Sequence, residues 1–146
     1  QKTAYEIRLS LVGSEMCIRD SYYKGGTPSA DNGKNKSMRI YNPLSNWIGE
    51  GLKRLKPRGW VTIINKTENL SEILISLNNK AGDIQIKPLT SGTDENADRV
   101  IVRARKDSKS PMKLHTPLII HASNGKSKTY SNLAENIFRY GSPLTF

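Results

Sequence analysis

One cysteine and two histidines in 146 residues leave little material for thiol, disulfide or metal chemistry, and the cysteine, Cys17, has no second thiol to pair with. Aromatic residues make up only 7% of the chain, and none interleaves with the basic stripe Arg99, Arg103 and Arg105 as the stacking platforms of a single-strand nucleic-acid binder would. Acidic residues are also scarce, 13 against 23 basic ones, for a net charge of +10. That surplus favours polyanions such as nucleic acid, teichoic-acid-like wall polymers or anionic membrane surfaces, and does not bear on fold. No apolar run approaches the roughly 20 residues of a membrane-spanning helix. The length suits one domain with its own core.

What is present begins with a segment foreign to the rest. Gln1 to Ser21, QKTAYEIRLSLVGSEMCIRDS, back-translates into codons that resemble two consecutive parts of a transposon-type sequencing-library adapter, with a variable index at Ile7 to Ser10. We therefore read residues 1–21 as non-native and exclude them from fold reasoning, as a targeting segment would be excluded. Cys17 goes with them, the native part starts near Tyr22, and its own amino terminus is expected to be missing. The charge survives, because Lys2, Arg8 and Arg19 balance Glu6, Glu15 and Asp20.

In the native part, Tyr22 to Arg39 is rich in Gly, Asn, Ser and Lys and lacks a hydrophobic period, which predicts a loop. Asn42-Pro43 predicts a helix start, with Leu44, Trp47, Ile48, Leu52 and Leu55 on one face and Pro57 as the stop. After Gly59 the period changes to two. Trp60–Asn65, Glu72–Asn78, Asp83–Leu89, Arg99–Arg105 and Leu118–Ala122 read as strands of an antiparallel sheet. Ile73, Ile75 and Leu77 would share one face, as would Val100, Val102 and Ala104, with Arg99, Ile101, Arg103 and Arg105 opposite the latter. Lys80 to Asp83 reads as a turn. Asn132 and Glu135 predict a capping box for a last helix carrying Leu133, Ile137 and Phe138 and stopped at Gly141.

Two basic groups are candidate binding residues: Lys53 and Arg54, with Lys56 and Arg58, at the first helix end, and Arg103 and Arg105 on a strand, with Lys106, Lys109 and Lys113 beyond. The simpler account of the first group is a solvated helix end where cations suit the dipole. His115 and His121 lie six residues apart, on the order of 20 Å along an extended segment, so they cannot meet at one metal ion from that strand. No cofactor and no metal is implied by these patterns.

Taken in order, several motifs resemble the amidase domain family of papain-like bacterial cell-wall hydrolases, relatives of the NlpC-type and CHAP domains. They are Tyr22-Tyr23-Lys24-Gly25-Gly26-Thr27-Pro28, Ser45-Asn46-Trp47, Leu55 to Trp60, Gly82-Asp83-Ile84, Asp98 to Val102, and Ile119-Ile120-His121-Ala122-Ser123. The resemblance implies an α+β fold, a papain-like antiparallel sheet with a packed amphipathic helix, over residues 22–146, lacking its N-terminal nucleophile helix. It implies a cysteine nucleophile upstream, polarised by a helix dipole and served by a histidine base. On that pattern His121 takes the orienting position, Gly82 and Asp83 shape a turn, and Asp98 precedes the base position. Arg99 occupies the base position, where a permanently protonated guanidinium cannot accept a proton. A shifted alignment would make His115 the base.

The expectation is therefore a fragment of a cell-wall amide hydrolase or of its inactive, wall-binding descendant, without activity as it stands. Peptidoglycan or another anionic wall polymer would be its partner, and the cell envelope or exterior its location. Nucleic acid ranks below these. Two rivals remain: an immunoglobulin-like β-sandwich binding module of a virion or cell surface, and a basic nucleic-acid-binding module whose retention on DNA would fall with salt.

Overall fold

The computed structural model describes residues 43–122 and 129–146, and the backbone of 15–19. The Tyr22–Arg39 loop, the Asn42 cap and Ser123 of the last motif lie outside the described residues. Strand β1 (Glu15–Arg19) falls inside the adapter-like segment and pairs in parallel with β2 (Trp60–Lys66). Parallel neighbours need a crossover, and helix α1 (Leu44–Arg54) lies between them in sequence.

In α1, Ile48, Leu52 and Leu55 are buried, as their spacing predicts, whereas Trp47 stands 42% exposed on the flank. Pro43, not Asn42, takes the cap position, and no side chain caps the helix there. At the other end the backbone turns extended at Leu55, whose orphan carbonyl accepts from Lys106 Nζ at 2.8 Å. Lys53 pairs with Glu50 at 2.8 Å, and that hydrogen bond and charge hold the Glu50 carboxyl below its ordinary pKa.

The first correction concerns Glu72–Asn78, expected as a strand. A short 3-10 turn (Thr67–Asn69) leads instead into helix α2 (Leu70–Leu77). Ile73 and Leu77 are fully buried and Leu70 and Leu74 pack beside them, while Ile75 is 75% exposed. The buried positions are thus four apart, and packing on the core outweighs the strand preference of the isoleucines. Ser76 Oγ donates to the Glu72 carbonyl one turn back, at 2.7 Å.

Strand β3 (Ala81–Thr90) follows, with a bulge between Gly82 and Gln85 where Asp83 takes φ 48°. Its antiparallel partner, β4 (Arg99–Lys106), lies between β3 and β2. On its outer edge β3 pairs in parallel with two short strands, β5 (Lys113–Leu114) beside Gln85 and Ile86, and β6 (Leu118–Ile119) beside Leu89 and Thr90. Pro88 sits between these two pairings and has no N–H to donate, which suits an interrupted edge.

The sheet order is therefore β1-β2-β4-β3-β5, with β6 also on β3. This is a mixed sheet, and the antiparallel papain-like sheet is corrected: β3 pairs in parallel with β5 and β6, and the segment expected as one of its strands is α2. The coarser reading, helices and a sheet in one α and β fold, stands. Val61 and Ile63 of β2, Val100, Val102 and Ala104 of β4, and Ile86 of β3 form the core with α1 and α2. The predicted Val100–Val102–Ala104 face is the buried one.

The last predicted strand shortens to β6, after which His121 makes a single bridge to Tyr130. Helix α3 (Asn132–Tyr140) is capped one residue earlier than expected, by Ser131 rather than Asn132: Ser131 Oγ accepts from Ala134 N–H at 3.2 Å and donates to the Ile119 carbonyl at 2.6 Å, tying the helix to β6. It stops at Gly141 in the left-handed conformation, as predicted. Ala134 is its buried residue, while Leu133 and Phe138 are about half exposed.

Candidate functional site

In open sheets with parallel strands, ligands gather outside the carboxyl ends of those strands. At the carboxyl end of β2 the buried Asn65 side chain shapes the turn: its Oδ1 accepts from Lys66 N–H and from Asn69 Nδ2, both at 2.8 Å. Thr67 is pinned to the chain before β4, its N–H donating to the Asp98 carbonyl at 2.9 Å and its hydroxyl to that of Ala97. Lys66 pairs with Glu68 at 3.3 Å. Glu72, from the first turn of α2, accepts from Ser45 N–H in the first turn of α1 at 3.1 Å. The polar groups named at this end are thus engaged with one another.

Arg99 is the first residue of β4, opposite Lys66 on one side and Leu89 on the other. His121 lies beyond β6, its ring stacked on Tyr130 at 5.6 Å and 12°, with Tyr130 edge-on to Phe138 at 5.4 Å. Its buried Nδ1 has no hydrogen-bond partner. Strand β3 separates β4, which carries Arg99, from β6, beyond which His121 lies. His115 donates its backbone N–H to the Ile86 carbonyl at 2.8 Å and sets its ring edge-on to Phe146 at 5.8 Å.

The two basic candidate groups are not one site. Lys53 and Arg54 belong to α1, on the helix-covered side of the sheet, whereas Arg103 and Arg105 alternate with buried Val102 and Ala104 and so lie on the other face. There the Arg103 guanidinium carbon lies 4.3 Å from the centre of the Trp60 ring and 5.8 Å from that of Phe146. Arg105 lies 5.6 Å from the same indole and donates Nε–H to the Arg58 carbonyl at 3.0 Å. The alternation from Arg99 to Arg105 placed these arginines on one face; the register that brings Trp60 opposite Arg105, and the approach of Phe146, were not readable from local pattern.

No family model and no curated protein matches the chain. Among solved structures, a predicted O-methyltransferase, protein Atu636 from Agrobacterium tumefaciens, is 16% identical with a TM-score of 0.66, over 94% of this chain and 57% of that one. The M1.HpyAVI–SAM complex is 19% identical with a TM-score of 0.43, over 89% of this chain and 66% of that one. The chain thus spans a little over half the length of the first neighbour. That likeness, together with the mixed sheet, overturns the papain-like resemblance and the cell-wall hydrolase, amidase and wall-binding readings drawn from it. The wall-polymer partner and envelope location rested on the same resemblance and are not carried further. The sandwich gains no support, since α1 and α2 pack on the single described sheet, and the first structural neighbour lends none to a basic nucleic-acid module.

Proposed function

We propose that the chain is part of a methyl-transfer enzyme. The supporting observation is the TM-score of 0.66 to a predicted O-methyltransferase across 94% of the chain, with β4 set antiparallel between β2 and β3. On this reading the working edge is the carboxyl end of β2, where the chain turns toward α2. Asn65 would position the turn after β2, since its carboxamide bonds two groups of that turn.

A methyl donor of the S-adenosylmethionine type would supply an activated methyl group to an oxygen or nitrogen nucleophile. At this edge Asn65, Lys66, Glu68 and Glu72 are engaged with neighbours, and the group left to meet a donor among the described residues is the buried, unpartnered Thr90 Oγ1 at the same end of the sheet, on β3. The reading of residues 1–21 as adapter sequence belongs to the same proposal, with β1 standing on the edge of β2 where a native strand would pair.

The test is to recover the uninterrupted gene upstream of the Tyr22 codon and titrate the encoded protein with S-adenosylmethionine in a calorimeter. The expected result is saturable binding of one donor per chain. Absence of binding by that protein, confirmed as folded, would overturn the proposal.

A further inference from the structure

The sheet face opposite α1 and α2 carries Arg103 and Arg105 beside the buried Ile101 and Lys87, where a layered fold ordinarily carries apolar side chains throughout. Thr62, Arg103, Gln85 and Lys113 lie abreast on β2, β4, β3 and β5, because cross-strand partners share a face. One step along, Trp60 is paired with Arg105. Arg103 and Arg105 both lie against the Trp60 ring, at 4.3 and 5.6 Å, which holds the two guanidinium groups within about one Debye length, roughly 10 Å, of each other.

Among the described residues no carboxylate pairs with either arginine. Glu50, Glu68 and Glu135 are engaged by Lys53, Lys66 and Arg139, and Asp83 accepts from the Gln85 amide at 3.2 Å. Stacking on Trp60 fixes the Arg103 plane but supplies no acceptor, and its Nε is buried without a hydrogen-bond partner. His115 Nε2 is buried and unpartnered as well, and both groups border the same Phe146 ring at 5.8 Å. A desolvated cationic donor without an acceptor is a standing penalty, and like charges held together add to it.

We propose that the Trp60–Arg103–Arg105 face, with His115 and Phe146 at its border, binds a phosphate-class oxyanion. A phosphate matches the arginine fork with two oxygens in one plane and offers further oxygens to a second donor. Its charge neutralises the arginine pair, and the Trp60 ring keeps the fork oriented before binding. Phe146 lies farther from the guanidinium than Trp60 does, so its ring is the side that yields. The site is on the opposite face from α1 and α2 and does not depend on the methyl-transfer reading.

The test uses the full 146-residue chain carrying Trp47→Phe, which leaves Trp60 as its only indole. Trp60 fluorescence is followed at low, constant ionic strength while inorganic phosphate is added against a chloride control. The expected change is saturable, with a midpoint on the order of 1 mM or tighter. Arg103→Met, matched to the parent in circular dichroism, is expected to weaken binding about tenfold or more, and Arg103→Lys, which keeps the charge but loses the fork, by a smaller factor. Phe146→Ala is expected to bind at least as tightly. AMP run beside inorganic phosphate identifies the source: equal midpoints indicate free phosphate, and a midpoint at least tenfold lower for AMP indicates a nucleotide, either supporting the site. A change that does not saturate, or a folded Arg103→Met variant that binds like the parent, would overturn it.

Discussion

Ile73→Ala is expected to lower the unfolding free energy by roughly 2–5 kcal/mol, and Ile75→Ala, two residues away, to change it by no more than about 0.5 kcal/mol. Ile73 is fully buried on the inner side of α2 and Ile75 is 75% exposed. Truncating Ile73 leaves a cavity among α1, α2 and the sheet. Truncating Ile75 removes a solvated side chain and installs the residue of highest helix propensity. Urea denaturation of the two variants, with the slope held as a check on two-state behaviour, reads both numbers. Were the segment a strand, the two isoleucines would share a face and their losses would be comparable, so the ratio tests the helix directly.

Gly82→Ala is the second large expected effect. A Cβ at Gly82 would meet the Ser108 carbonyl oxygen at 2.3 Å and its carbon at 2.8 Å, both backbone atoms that no rotamer change can move aside. The bulge beside Gly82 is anchored there: Asp83 N–H donates to the Ser110 carbonyl at 2.9 Å and Asp107 N–H to that of Lys80 at 3.0 Å. Relief must come from shifting one strand end, at about 1–3 kcal/mol. Gly49→Ala provides the contrast. Gly49 lies in α1 with nothing within 4 Å of the added carbon, so alanine there is expected to stabilise by roughly 0.5–1 kcal/mol. Thermal melts should move in opposite directions; a Gly82→Ala melt at or above the parent's would show that the β3 start and the Ser108 turn are not packed as described.

What could be read from local sequence divides along a physical line. Elements whose own period decides their burial were legible: α1 from Ile48, Leu52 and Leu55, β2 from Val61 and Ile63, β4 from Val100, Val102 and Ala104, and the stop of α3 from Gly141. Glu72 to Leu77 was not, because isoleucines at 73 and 75 satisfy a strand period while 73 and 77 satisfy a helical one, and only contact with α1 and the sheet decides between them. Strand order was equally hidden. Alternation says which face a residue takes but not which strand lies beside it, so inserting β4 between β2 and β3 leaves no local mark. The ordered short motifs behind the amidase resemblance were of the same kind: Gly82-Asp83-Ile84 is a bulge at the start of β3, and His121 rests against Tyr130. The arginine face was half legible, from alternation alone. Its grouping with Trp60, His115 and Phe146 depends on pairings across four strands and on the last residue of the chain.

The place of β4 in the sheet is central, since the likeness to the first structural neighbour and the basic face both rest on it. Backbone nuclear Overhauser contacts on the isotopically labelled chain read that placement most directly. The account predicts antiparallel contacts from Val102 to Ile63 on one side and to Ile86 on the other. Contacts running directly between Ile63 and Ile86, with Val102 at an edge, would contradict it.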